Sequence, residues 1–388
     1  MGCPWVGRGY AEQLAEKAER LRRALAAHTE LGRYRLVAPS GSPERFGYRN
    51  HAKLVFRTRR AARAPGREVL LGVYRPGTHS VLPADDCAVH DRLLRPVLLD
   101  LRRSVEGLEV PIFDERRRTG DLRYALARCS RLSGQVHLTL VAARSRPRWL
   151  SELVRGLRRR HGNLESVFLC TNPTPGNVLL TRDVRRVFGP PALLERLGER
   201  VLESRPDAFL QANPGVASNL YRAAARALEL DGPARIVDVY CGVGSIGLSV
   251  ARERDRLYGL ESSASAVACA RRNARRAGVR HARFRDAPAE GLARFASEHD
   301  LFRPDAVLVN PPRKGLAGTV ARQVADLEPA KILYVSCDPE TLARDLGRLA
   351  SRGYRLERVQ AFDMLPQTPH VEALALLSRS PAAVNRRR

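Results

Sequence analysis

The chain has 388 residues, with 67 Lys plus Arg against 41 Asp plus Glu and a formal net charge of +26. That excess is too large for a typical soluble metabolic enzyme and points to a polyanionic partner, while the length makes two domains the starting expectation. Seven cysteines are scattered without a Cys-x-x-Cys pair, no apolar run is long enough to span a bilayer, and the N-terminus lacks the apolar core of a signal peptide. A secreted disulfide framework and a membrane partner are therefore not expected, and a cytoplasmic location is. Arginine supplies almost all the positive charge, since only Lys17, Lys53, Lys314 and Lys331 are lysines.

Tyr10 to Ala27 predicts a charged amphipathic helix with Leu14, Leu21 and Leu25 near one face. From Val37 to Ala143 short apolar runs alternate with Gly, Pro and charged turns, at Lys53–Thr58, Val69–Tyr74, Leu122–Ala127 and Gln135–Val141. That pattern predicts a mainly β region, interrupted by a helix from about Val89 to Leu108. Arg45, Arg49, Lys53, Arg57, Arg59 and Arg60, then Arg116, Arg117, Arg118 and Arg123, lie among its strands, with Tyr34, Phe46, Tyr48 and Phe56 interleaved. Arginines and aromatics on a small sheet suit single-stranded RNA, whose bases stack and whose phosphates need neutralising; a solvated basic face with ordinary core aromatics is an even alternative.

Trp149 to His161 reads as a helix, Ser166 to Thr171 as a strand, Asn172 to Asn177 as a turn cluster, and Pro191 to Leu197 as a further helix or turn. The chain is thus expected to divide into a helical segment at 1–36, a mainly β RNA-recognition region at 37–195 and a catalytic domain at 196–388. In the last part strands and helices alternate: Ile236–Tyr240, Leu257–Glu261, Ala282–Arg285, Asp305–Val309, Ile332–Val335, Arg355–Phe362 and Ala373–Leu377 are strands. Repeated βα units predict an α/β, Rossmann-like, doubly wound and mainly parallel sheet.

Gly242-x-Gly244-x-x-Gly247 follows a strand and opens a helix, and the next strand ends at Glu261. This is a nucleotide-type loop with a carboxylate placed for ribose hydroxyls, and by itself it also fits a dinucleotide-binding dehydrogenase. Asn310-Pro311-Pro312 at a strand end resembles a loop that methyltransferases use near the transferred methyl group, which turns the reading to S-adenosylmethionine; the prolines fix the backbone, and Asn310 offers a donor and an acceptor. Arg313 and Lys314 follow, so a nucleophile must lie elsewhere. Cys337 ends a strand just ahead of a helix start, with Asp338 as N-cap and Pro339 at the first helical position. Unpaired N–H groups there favour a thiolate, with Asp338 opposing unless it is turned away as the cap; a small buried cysteine is the alternative.

With these motifs together, the chain resembles the RNA uracil-C5 methyltransferase family, in its short 23S ribosomal RNA branch. The resemblance is carried by Phe46 to Lys53, Gln211-Ala212-Asn213-Pro214, Val239 to Gly244, Asn310 to Arg313, Ser336-Cys337 and Phe362 to Glu372. It implies a class I methyltransferase fold and S-adenosyl-L-methionine as cofactor, contacted by Gln211, Tyr240, Gly242, Gly244, Glu261 and Asn310. It implies Cys337 as nucleophile at C6 of uracil and Glu372 as the base that takes the C5 proton. RNA, and not DNA, is the expected partner, with Arg49, Lys53, Arg57 and Arg313 as contacts and a monomer as the working state. Methylation of tRNA in the T-loop, and a non-catalytic RNA-binding or assembly factor, are the alternatives. Ribosomal members often hold a [4Fe–4S] cluster on four cysteines, but only Cys3 and Cys87 match here, so a cluster is expected only if the native chain starts upstream of Met1.

The charge makes a direct prediction. RNA affinity should fall steeply between low and moderate salt, because each neutralised phosphate releases counterions. Filter binding across a salt series checks this, and a flat response would contradict the polyanion reading.

Overall fold

The structure, a computed structural model, describes residues 2–60, 67–174 and 179–380, so 175–177 of the expected turn cluster lie outside the described residues. The chain divides into two compact units. One is built mainly from Glu44–Glu195, and the other from Cys3–Pro43, Arg196–Ser204 and the chain from Ala208 onward.

The leading segment forms helix α1 (Tyr10–Ala26) and strand β1 (Arg35–Ser40). There follow β2 (His51–Arg60), β3 (Arg67–Tyr74), β4 (Val81–Pro83), α2 (Leu94–Gly107), β5 (Leu122–Cys129) and β6 (Val136–Ala142). Helix α3 (Leu150–Arg160), β7 (Leu164–Thr171) and β8 (Val184–Phe188) complete the first unit's sheet, ordered β4-β3-β2-β5-β6-β7-β8. Alternation along the strands separates its faces. Leu54, Phe56, Ala125, Ala127 and Leu138 join α2 and α3 in the core, whereas Val55, Tyr124, Leu126 and Val141 form a smaller cluster on the other side.

Strands β9 (Leu193–Leu197) and β10 (Arg200–Ser204) pair as a two-stranded sheet. The helix or turn expected at 191–197 is therefore a strand: Leu193, Glu195 and Leu197 are buried and Leu194 and Arg196 exposed, the period-2 pattern of a strand.

The second unit continues with α4 (Pro214–Leu228), β11 (Arg235–Val239), α5 (Ser245–Val250), β12 (Arg256–Glu261), α6 (Ala264–Arg276) and β13 (Ala282–Asp286). Then come α7 (Leu292–Glu298), β14 (Ala306–Val309), α8 (Gly318–Asp326), β15 (Lys331–Ser336), α9 (Pro339–Ala350), β16 (Tyr354–Phe362) and β17 (Glu372–Arg379). Its eight strands run β1-β16-β17-β15-β14-β11-β12-β13. This is a doubly wound, mainly parallel sheet, with α1, α7, α8 and α9 over one face and α4, α5 and α6 over the other. Two details depart from the sequence pattern. Val37, read as the start of the β region, pairs through β1 with Gln360 of β16 at this sheet's edge. The final strand β17 runs antiparallel, inserted between β15 and β16. Among the described residues, no helix is long and apolar enough to cross a membrane.

Helix α1 is anchored from within. Lys17, fully buried, pairs with the buried carboxylate of Asp363 and donates to the Leu365 carbonyl at 3.0 Å. Gln13 accepts from the Gln367 backbone N–H at 3.0 Å. Gln367 is held at φ +69°, a left-handed conformation that a non-glycine residue adopts at a cost. The helix thereby props the segment that leads into β17. Replacing Lys17 by Met should destabilise the protein by about 3–5 kcal/mol, because it strands a buried carboxylate. Urea denaturation checks this, with Lys17→Met/Asp363→Leu expected to regain much of the loss.

Candidate active site

Strand β11 delivers the glycine loop. Tyr240, Gly242 and Gly244 take φ values of +67°, +56° and +82°, so the chain turns sharply before α5. Gly247 packs against the strand it left: its N–H donates to Asp238 Oδ2 at 3.0 Å, and a Cβ there would lie 2.7 Å from the same oxygen. Burial pushes the Asp238 carboxyl up to about 7, against the pull of the Gly247 N–H. Sequence reasoning did not single out Asp238, although an acid inside an otherwise apolar strand was the available signal. A Cβ on Gly242 would meet nothing within 4 Å, so the loop backbone faces open space.

Neighbouring strand ends supply the other polar groups. The Gly242 N–H donates to Glu261 Oε2 at 3.1 Å, and Ser263 N–H donates to Oε1 at 2.9 Å. The Ser262 hydroxyl also donates to Oε1 at 3.2 Å, and a carboxylate keeps an acceptor site beyond these three. Val239 of β11 lies beside Val309 of β14, so Tyr240 and Asn310 follow at adjacent strand ends. Tyr240 is half-buried, and burial first, then Glu290 and Asp345, pushes its hydroxyl up to about 12.

Strand pairing brings Cys337 and Glu372 near each other. Ser336 pairs with Ala373 across β15 and β17, and Cys337 and Glu372 each lie one residue beyond that pair. The two are near enough for the Glu372 charge to act on the thiol. Asp338 is the N-cap, accepting from Thr341 N–H at 3.0 Å, with Pro339 at the helix start. The thiol is nonetheless raised above its ordinary value, where the helix start was expected to lower it. Burial and the Glu372 carboxylate outweigh Arg313 and the local backbone N–H, and Asp338 adds to the rise. Glu372 is itself pushed up to about 7 by burial, with a contact from Gln211 and the charge of Arg313 opposing. Gln211 Nε2 lies 3.5 Å from Glu372 Oε1, the outer limit of a hydrogen bond, so this residue faces the carboxylate.

The basic residues of the first unit divide in character. Arg49 and Lys53 lie near His51 and Arg128, and loss of water around the Lys53 ammonium, then Arg128 and Arg49, lowers its pKa. Arg57 is tied down: its guanidinium donates to the Tyr74 hydroxyl at 3.0 Å and the Phe113 carbonyl at 3.2 Å, and pairs with Glu115 at 3.2 Å. Cys3 and Cys87 are both half-buried. Among the described residues no group of three or more His, Cys, Asp or Glu could hold a metal ion.

Known proteins place this arrangement. The chain is 35% identical to the 23S rRNA (uracil(747)-C(5))-methyltransferase RlmC of Enterobacter sp. (strain 638), over 97% of this chain and 96% of that protein. An uncharacterised RNA methyltransferase of Geobacter sulfurreducens is 34% identical over 97% of this chain and 74% of its own length. The chain belongs to the RNA uracil-C5 methyltransferase family. The family described as tRNA (Uracil-5-)-methyltransferase matches residues 196–380. A tRNA (uracil-54, C5)-methyltransferase of Pyrococcus abyssi, solved with S-adenosyl-L-homocysteine, superimposes with a TM-score of 0.78 at 27% identity, covering 97% of this chain and 86% of that one. As a member, this protein is an S-adenosylmethionine-dependent RNA methyltransferase. Its glycine loop fits that cofactor, because Gly242 leaves open space where a side chain would intrude and Glu261 keeps acceptor capacity for hydroxyls beside it.

The charges make the thiol's behaviour testable. Alkylation of Cys337 should follow a titration midpoint above the ordinary thiol value, and Glu372→Gln should move that midpoint down by removing the facing negative charge. Peptide-resolved mass spectrometry against pH, which separates Cys337 from Cys3 and Cys87, checks both.

Proposed function

We propose that this enzyme methylates C5 of a uridine in 23S ribosomal RNA, using Cys337 as nucleophile and Glu372 as base. The observation that carries the reading is the nearness of thiol and carboxylate, each one residue beyond the Ser336–Ala373 pair of β15 and β17, in the sheet whose strand β11 carries the glycine loop. The Cys337 thiolate adds to C6 of uracil and makes C5 nucleophilic. Bound S-adenosylmethionine supplies the electrophilic methyl group, and Tyr240, Gly242, Gly244, Glu261, Asn310 and Gln211 are assigned to hold it. Glu372 then removes the C5 proton, the S–C6 bond breaks, and the thiolate is regenerated. A buried carboxylate raised to about 7 suits that task, since its basicity is greater than that of an ordinary glutamate.

Arg313 contributes twice in this reading. Its charge favours both the Cys337 thiolate and the Glu372 carboxylate, and it is assigned to the RNA as a contact of the second unit, as Arg49 and Lys53 are of the first. Arg57, held by Glu115, would act by shaping the basic face more than by a free contact. The choice of 23S RNA is supported by the ribosomal relative's activity and by the Phe46 to Lys53 segment. The solved relative acts on tRNA, so tRNA is the second reading. The enzyme is assigned to the cytoplasm as a monomer.

Methyl transfer from labelled S-adenosylmethionine to total RNA of a strain lacking the gene should place 5-methyluridine in 23S RNA and none in tRNA. Label in tRNA would shift the assignment to the second reading, and label surviving Cys337→Ala would remove the nucleophile. Glu372→Gln should trap a covalent protein–RNA species stable to denaturing electrophoresis, because the C5 proton stays in place. Cys337→Ala should form none.

A further inference from the structure

Helix α9, which starts just after Cys337, grips the loop that follows Asn310. Asp345 lies on it, fully buried. Its Oδ2 accepts from the Leu316 backbone N–H at 2.6 Å and the Tyr334 hydroxyl at 2.8 Å. Its Oδ1 accepts from Arg344 and from Arg348, each at 3.0 Å. These neighbours carry the grip along the loop: Thr341 donates to the Arg313 carbonyl at 3.2 Å, Arg344 to the Lys314 carbonyl at 2.8 Å, and Arg348 to the Leu316 carbonyl at 3.2 Å. Gly315, at φ +71°, leaves no room between loop and helix, since a Cβ there would lie 2.3 Å from Asp345 Oδ2.

We propose that Asp345 is a positioning residue that locks the Asn310–Leu316 loop to the Cys337 helix and so holds Arg313 at the nucleophile and base. The inference rests on the assignment of Cys337 and Glu372 above. One carboxylate binds β15 through Tyr334, the loop through Leu316 and its own helix through two arginines, so three elements that converge on the site share one buried anchor. Arg313, immediately after the rigid Pro311-Pro312 pair, is held at its carbonyl by the same helix, which sets where its charge lies. The groups facing Cys337 are Glu372, Arg313 and Asp338, and those facing Glu372 are Gln211 and Arg313, with Tyr221 nearby. Arg313 is the cation common to both.

Both thiol and carboxyl must be deprotonated for turnover, so activity rises with pH through both. Displacing Arg313 removes the charge that lowers each, and the ascending limb must then move to higher pH. The experiment is the pH profile of kcat/KM for methyl transfer with Asp345→Asn, Arg344→Met and Arg313→Gln. Asp345→Asn is expected to lower kcat roughly tenfold or more through misplacement and to move the limb up by about one pH unit. Arg313→Gln should give the same shift, and the Arg313→Gln/Asp345→Asn pair no further one. Arg344→Met, at a partly exposed side chain, should fold normally and show a smaller shift of the same sign, which decides the matter if Asp345→Asn does not fold. A limb that stays at its wild-type pH in Arg344→Met and in folded Asp345→Asn, while kcat falls, would overturn the proposal and leave a purely structural role. Turnover that survives Cys337→Ala would instead overturn the chemistry on which it rests.

Discussion

The site depends on one strand running against the rest of its sheet. β17 enters antiparallel between β15 and β16, and its register with β15 pairs Ser336 with Ala373, one residue short of Cys337 and Glu372. Register in a buried sheet is strongly held, because a slip of one residue turns every side chain to the wrong face. Here Leu374 and Leu376 pack with the α4–α6 side, and Ala373, Ala375 and Leu377 pack with the α1–α9 side. Two separate cores therefore enforce the pairing that brings Cys337 and Glu372 near each other. The Lys17–Asp363 pair and the Gln13–Gln367 contacts act on the same register from upstream, fixing the segment that feeds β17.

Burial, more than any single partner, sets the charge states. Asp238 and Glu372 are both raised to about 7 chiefly by loss of water, yet their surroundings give them different work. Asp238 is closed off by the Gly247 N–H and the packed glycine turn, so it serves the loop's geometry. Glu372 sees Gln211 and Arg313, and its charge reaches the Cys337 thiol. The raised thiol follows from the same geometry. A carboxylate near enough to act as base is near enough to oppose the thiolate, and Arg313 is the counterweight that the free enzyme supplies. In the second unit two acids thus sit against one arginine, on a chain whose overall charge is strongly positive.

Much of the fold was legible because its signals are local. Short apolar strands, glycine turns, Asp338-Pro339 and the Asn310-Pro311-Pro312 end each declare themselves within a few residues, and the βα alternation follows from them. What escaped was decided at a distance. The 191–197 stretch was read as a helix or turn because alternation over five residues is a weak signal until a partner strand pairs with it. Val37 was grouped with the β region next to it in sequence, yet its pairing partner, Gln360, lies more than three hundred positions away. Arg57 is expected from the sequence as an RNA contact, and only the fold shows Glu115 and Tyr74 already engaging it.

The sequence by itself determined the residue types of the site, the order in which the strands present them, and the family to which they point. It also held the helix start after Cys337, since Asp338 and Pro339 specify it locally. The tertiary structure alone decided the electrostatics. Whether Cys337 is lowered by a helix start or raised by burial and a facing carboxylate depends on the removal of water and on a charge brought across a sheet. Both are properties of three-dimensional packing, and neither has a local imprint in the chain.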